Sequence, residues 1–243
     1  MSCLWPAAAV GRSLGDKEVH VWCAHLEPPA GQLTSLQQIL AEEEAQRAAR
    51  FRFWRHRRRY IAGRGILRVL MGSYLNMAPE DVKFSYSEYD KPFLPDHNIQ
   101  FNLAHSEAYA LYAFCLTADI GIDLEKIRIL KDADNIAARF FAPTEYARFR
   151  TVPQEDKYEA FFRCWTRKEA FIKAVGEGLS YPLADFDVAF EPEKAQINSI
   201  RGSKAAAQRW SLFPLSALPE YTAALVVEGR EWQIFTHHLQ HFP

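Results

Sequence analysis

The chain has 243 residues, 49% of them hydrophobic and 14% aromatic, which supplies the core of one large domain or two of about 120 residues and excludes general disorder. Its 29 basic and 30 acidic residues nearly cancel, so a diffuse nucleic-acid footprint is excluded and any polyanion site must be local. Cys3, Cys23, Cys115 and Cys164 show no C-x-x-C pair or zinc spacing and read as reduced thiols; with no basic leader and no membrane-length apolar run, a soluble, cytoplasmic protein is expected.

Residues 19–26 are rich in valine and aromatic character and run into Pro28-Pro29-Ala30-Gly31, which predicts a strand and its exit. Ser35 and Gln38 stand at capping-box spacing and predict the opening of a helix that carries Ile39, Leu40 and the acids Glu42 to Glu44. From Arg47 to Arg68 there are nine arginines and no acid, with Ala62, Ile66 and Val69 at helical spacing behind them, the pattern of a helix with a basic flank. Residues 82–86, 99–103, 109–116 and 120–125 read as strands separated by turn chemistry, so the middle of the chain is a β cluster. Asp132 or Asp134 predicts a helix cap, Pro143-Thr144-Glu145 a restart, and residues 155–175 a longer helix stopped at Gly176 and Gly178. Four more strands are expected at 186–190, 209–213, 221–227 and 232–236.

In Gly121-Ile122-Asp123-Leu124-Glu125, residues two apart share a face, so Asp123 and Glu125 point one way while Ile122 and Leu124 point toward the core. Two such carboxylates repel and are comfortable with a hard cation between them; the competing reading is a half-exposed strand with an acidic outer face. In Trp165-Thr166-Arg167-Lys168-Glu169-Ala170-Phe171-Ile172-Lys173, Trp165, Glu169 and Lys173 line one side of the long helix, toward the sheet or as a plain Glu169–Lys173 surface pair. His105, in Phe101-Asn102-Leu103-Ala104-His105-Ser106, is either a structural imidazole or a donor beside a phosphate. Arg50, Arg57 and Arg64 recur every seven residues, with Arg47 and Arg68 near the same stripe, as planar phosphate donors, a solvated helix face or a nucleic-acid contact.

The order F-N-x-x-H-S, then G-I-D-x-E about sixteen residues on, then W-x-x-K-E-A-x-x-K, resembles the three signature blocks of the Sfp-type 4′-phosphopantetheinyl transferases. Trp165 with Lys168-Glu169-Ala170 is similar to the W/KEA subgroup, and the likeness extends through Glu88-Tyr89-Asp90-Lys91-Pro92 and Gly176-Glu177-Gly178-Leu179-Ser180 over most of residues 40–190. It implies an α+β fold of two pseudo-symmetric halves, 1–117 and 118–243, each a small antiparallel sheet packed with a long helix, with coenzyme A in the cleft between them. The implied activity moves the phosphopantetheine group of coenzyme A to a serine of an acyl or peptidyl carrier protein and releases 3′,5′-ADP. By the same resemblance Asp123, Glu125 and Glu169 hold Mg²⁺, for which Mn²⁺ substitutes, and Glu169 or a metal-bound water that it orients is the base. Lys173 offsets charge on the transferring or departing phosphate, His105 contacts the coenzyme A phosphates, Lys91 lies close to the nucleotide, and Arg47 and Arg50 reach the 3′-phosphate.

Two positions depart from the family pattern: Ala104 stands where many relatives carry serine, and Glu44 where one branch has lysine. The resemblance implies a monomer whose partner is a small helical carrier domain with an acidic face, and no nucleic acid or membrane. It leaves open whether the carrier serves fatty-acid, polyketide or nonribosomal peptide synthesis. Another Mg²⁺-dependent phosphoryl or nucleotidyl transfer is compatible with the carboxylates alone, but the order of the three blocks argues against it.

Overall fold

The computed structural model describes residues 3–192 and 194–240, and its elements follow the hydrophobic periodicity of the chain. Strands β1 (Ala7–Ala8) and β2 (Glu18–His25) precede helices α1 (Ala30–Gln38), α2 (Glu42–Ala49) and α3 (Trp54–Leu75). The short β3 (Ser85–Tyr86) and β4 (Pro92–Phe93) pair before β5 (Ile99–Ser106), β6 (Tyr109–Leu116) and β7 (Ile120–Lys126). Helices α4 (Ala133–Phe140), α5 (Pro143–Arg150) and α6 (Lys157–Val175) follow, and then β8 (Phe186–Val188), β9 (Ile197–Ile200), α7 (Lys204–Ala207), β10 (Trp210–Leu215), β11 (Tyr221–Glu228) and β12 (Gln233–Leu239).

The fold is α+β, with a long helix on each of two principal sheets. One sheet has the order β1-β12-β2-β6-β5 and the other β10-β11-β7. Alternation sorts their side chains: Trp22, Tyr112 and Phe114 turn toward Ile61, Ile66 and Leu70 of α3, whereas Val21, Leu111 and Ala113 meet Ile122, Leu124 and Leu225 in a core shared by the two sheets. On the far side of the smaller sheet, Ala224 and Val226 pack under Phe171, Ile172 and Ala174 of α6.

Several expectations change. The larger sheet is mixed rather than antiparallel, because β12 pairs in parallel with both β1 and β2. A strand from the C-terminal part of the sequence therefore completes the N-terminal sheet, and the two sheets do not divide cleanly at residue 117. The Ser35 and Gln38 capping box does not open a helix. Helix α1 already begins at Ala30 behind Pro29, and the Ser35 hydroxyl donates to the Gly31 carbonyl inside it. The box that does form is one element later, where Glu44 accepts from the Ala41 backbone N–H at 3.0 Å. The arginine run spans two helices, with Arg47 on α2 and the chain breaking before α3.

Candidate active site

The edge of β7 that is not paired to β11 faces β5, and side chains close the seam between the two sheets. Asn102 Oδ1 accepts from the Ile122 backbone N–H at 3.0 Å, and four residues further along β5 Ser106 Oγ accepts from the Lys126 N–H at 3.0 Å. These bonds satisfy edge donors that would otherwise be lost from water. Ser106 Oγ also lies 3.2 Å from Glu125 Oε2, to which it donates, so β5 orients one of the two β7 carboxylates.

Helix α6 crosses β7 at Gly121. A Cβ built there would come within 2.9 Å of Ala174 Cα and closer still to Ala170 O and Ala174 N, so only glycine permits this approach. The close crossing brings Lys173 onto β7, where its ammonium donates to Asp123 Oδ1 at 2.7 Å and to the Ile122 carbonyl at 3.2 Å. Asp123 is 5% exposed, and burial raises its pKa against the pull of Lys173. Burial, then the Asp123 charge, raises Glu125. One helical turn before Lys173, Glu169 is raised to about 7 by burial and by the charges of Asp123 and Glu125, with Lys173 opposing. Lys173 thus meets the strand pair and Glu169 lies within range of its charge, whereas Trp165 of the same helix packs with Phe161 and Phe140.

The donor set fits a divalent cation. Asp123 Oδ2 is buried with no hydrogen-bond partner among the described residues, and three carboxylates that repel one another supply hard oxygen ligands. Among the described residues, no three His, Cys, Asp or Glu side chains are gathered at ready metal-ligand spacing; Lys173 instead holds one oxygen of Asp123.

His105 is exposed near the end of β5, with its pKa held down by packed surroundings and by Lys173 and Arg59, against the pull of Asp123. Lys91, between β3 and β4, reaches β7 and α6: its ammonium donates to Ala174 O at 2.9 Å and Ile120 O at 3.3 Å, and burial lowers its pKa. Arg47 and Arg50 are both exposed near the end of α2. Arg47 stacks over Tyr60 and lines a cavity of ≈ 530 Å³ with Arg64, Phe84 and Tyr86.

The seven-residue arginine stripe does not hold as a phosphate surface. Glu44 is buried and accepts from Arg64 Nε and Arg68 Nε, each at 2.6 Å; burial opposes its charge, yet the two guanidinium groups hold its pKa below the usual carboxylate range. Ala104, 4% exposed, faces the shared core.

Sequence reasoning missed Gly121, Asn102 and Ser106 as positioning groups, although Asn102 and Ser106 share a strand face by their even spacing. It also missed Arg59, whose charge acts on His105. Lys168, inside the W-x-x-K-E-A block, is a fully buried structural cation. Its ammonium lies 2.9 and 2.7 Å from the Glu145 oxygens and 2.7 Å from Phe186 O, tying α6 to α5 and β8. Trp165 stacks on Phe161 in the core beside them.

Comparison with known proteins bears on the family of the chain. Residues 24–117 match the family 4′-phosphopantetheinyl transferase, N-terminal, and residues 119–226 match the 4′-phosphopantetheinyl transferase superfamily. The two matches meet between β6 and β7, at the seam. The chain is 42% identical over 234 residues to 4′-phosphopantetheinyl transferase HetI of Nostoc sp., covering 94% of this chain and 95% of that protein. It is 33% identical to 4′-phosphopantetheinyl transferase Sfp of Bacillus subtilis over 62% of this chain and 66% of that one. A holo-(acyl-carrier-protein) synthase from Bacillus anthracis, solved in complex with CoA, aligns with 46% of this chain and 96% of its own at 24% identity and a TM-score of 0.38, too distant to argue from. On the near-complete alignment at 42% identity and the two family matches, the chain belongs to the 4′-phosphopantetheinyl transferase family.

Proposed function

We propose that this protein transfers the phosphopantetheine group of coenzyme A to a serine of an acyl or peptidyl carrier protein, releasing 3′,5′-ADP, with Asp123, Glu125 and Glu169 holding Mg²⁺. The observation that carries the reading is the contact of Lys173 with Asp123 where α6 crosses β7 at Gly121, which lays the helix that bears Glu169 against the strand that bears Asp123 and Glu125.

In the reaction the serine Oγ forms a bond to the phosphorus that carries pantetheine, the bond from that phosphorus to the bridging oxygen breaks, and 3′,5′-ADP leaves with the electron pair. When bound, Mg²⁺ neutralises charge on the diphosphate. Glu169, or a water that it orients, takes the serine proton. Lys173, held at Asp123 and the Ile122 carbonyl, places a cation beside the transferring and departing phosphates. Ser106 aims Glu125, and His105 with Arg59 sets donors at the same rim. Lys91, Arg47 and Arg50 serve the nucleotide end of coenzyme A, and a Lys91 drawn to it would release its two carbonyl bonds. The protein acts as a cytoplasmic monomer, a setting consistent with its four free cysteines.

The test is purified protein with coenzyme A, Mg²⁺ and a panel of apo carrier proteins, read by mass spectrometry as gain of one phosphopantetheine on the carrier serine. No gain on any carrier, with the protein folded, would overturn the assignment.

A further inference from the structure

Of the nine arginines between Arg47 and Arg68, Arg64 and Arg68 are committed to Glu44, and Arg59 pairs with Glu27 at 2.8 Å and Glu107 at 3.4 Å. Among the described residues none of Arg52, Arg55, Arg57 and Arg58 pairs with a carboxylate, and the Nε atoms of Arg57 and Arg58 are buried without a hydrogen-bond partner. Among these cations stand two large rings in solvent, Phe53 at 61% and Trp54 at 60% exposure. The guanidinium groups of Arg57 and Arg58 lie 6.0 and 5.9 Å from the Trp54 ring, and that of Arg52 lies 5.6 Å from Phe53. Arginines without carboxylate partners around an exposed Trp and Phe match the composition of interface hot spots, although Arg58 also donates to the Pro28 carbonyl at 2.9 Å.

From this patch we infer that Phe53 and Trp54, with Arg52 and Arg55 around them, form the surface on which the acceptor carrier protein docks, an acidic helix seating apolar side chains on the two rings. The inference rests on the transferase reading above. Continuity with the candidate site supports it: Arg59, the next turn of α3, is ion-paired to Glu107, in the turn that follows His105 and Ser106 on β5. An acceptor held on the patch therefore stands next to the end of β5 that carries His105 and Ser106. The sign of the charge selects an acidic partner. The surroundings of the patch favour a protein over a nucleic acid: Glu27 lines the same small pocket as Trp54, Arg55 and Arg58, and Glu27 and Glu107 pair with Arg59, so carboxylates interrupt the basic surface that a phosphate backbone would follow.

The experiment measures steady-state transfer to an apo acyl carrier protein and an apo peptidyl carrier domain by wild type, Trp54→Ala, Phe53→Ser/Trp54→Ala and Arg55→Glu, varying carrier and coenzyme A separately and recording thermal melting for each. The expected result is a rise of about tenfold or more in the KM for carrier, with kcat, the KM for coenzyme A and the melting temperature unchanged. An unchanged KM for carrier, or an equal rise in both KM values, would overturn the docking assignment. Failure of the wild type to modify any carrier would defeat the transferase reading instead, and direct binding decides docking separately. A carrier whose serine is replaced by alanine should bind wild type and lose that binding in Trp54→Ala; equal binding to both refutes the surface. Competition by a plain DNA duplex that is lost in the same variant would reassign the patch to nucleic acid.

Discussion

Replacing Gly121 with alanine adds one methyl group where β7 and α6 touch, and the structure sets what must follow. The new Cβ would sit 2.9 Å from Ala174 Cα and closer to Ala170 O and Ala174 N, all of them backbone atoms that no rotamer change can clear. Recovering ordinary contact, 3.4 Å or more, requires α6 to retreat from the strand by more than about 1 Å. Overpacking of this kind costs about 1–3 kcal/mol, and the upper end applies because a helix rather than a side chain must yield. In a chain of this length about 3 kcal/mol lowers the melting temperature by about 6–12 °C. The same retreat carries Glu169 and Lys173 away from Asp123, and a misplacement of about 1 Å costs about 100-fold in rate. Thermal unfolding and carrier modification on one preparation test both consequences. A Gly121→Ala protein that melts within a degree of wild type and transfers within about twofold would refute the claim that this crossing assembles the site.

Glu145→Ala leaves the fully buried Lys168 ammonium without its carboxylate and is expected to cost about 3–5 kcal/mol in urea unfolding, more than any loss from an exposed pair. Asp123→Asn and Glu169→Gln are expected to abolish transfer while the melting temperature stays near wild type; full activity in either removes that residue from the chemistry. His237 is 6% exposed with Nε2 unpartnered among the described residues, and burial lowers its pKa from 6.5 to about 4. Because the unfolded state takes up the proton first, its contribution to stability is fully present above about 6.5 and is lost as pH falls toward 4, by at most about 3 kcal/mol. Glu169, raised in the folded state, acts in the opposite direction, so the measurement compares wild type with His237→Phe by urea unfolding at several pH values from 7.5 down to 4.5; equal slopes would show that His237 carries none of the effect.

Much of this protein was readable one segment at a time. The uninterrupted apolar run of β6, the alternation in Gly121-Ile122-Asp123-Leu124-Glu125 and the glycine stop of α6 at Gly176, which adopts φ 84, are local consequences of side-chain period and backbone sterics. The spacing of Asp123 with Glu125 and of Glu169 with Lys173 placed each pair on one face of its own element. What sequence did not determine was which groups meet across elements. Arg64 and Arg68 look like any other arginine in a basic run until Glu44, on the preceding helix, is found buried between them. Lys168 looks like part of a catalytic block until Glu145 claims it. The parallel pairing of β12 with β2 joins strands more than 200 residues apart, a closure no local pattern announces. The physical reason is common to all three: local conformation follows from the residue and its neighbours, whereas the fate of a charge or a strand edge depends on the partner and the burial that only the folded chain supplies.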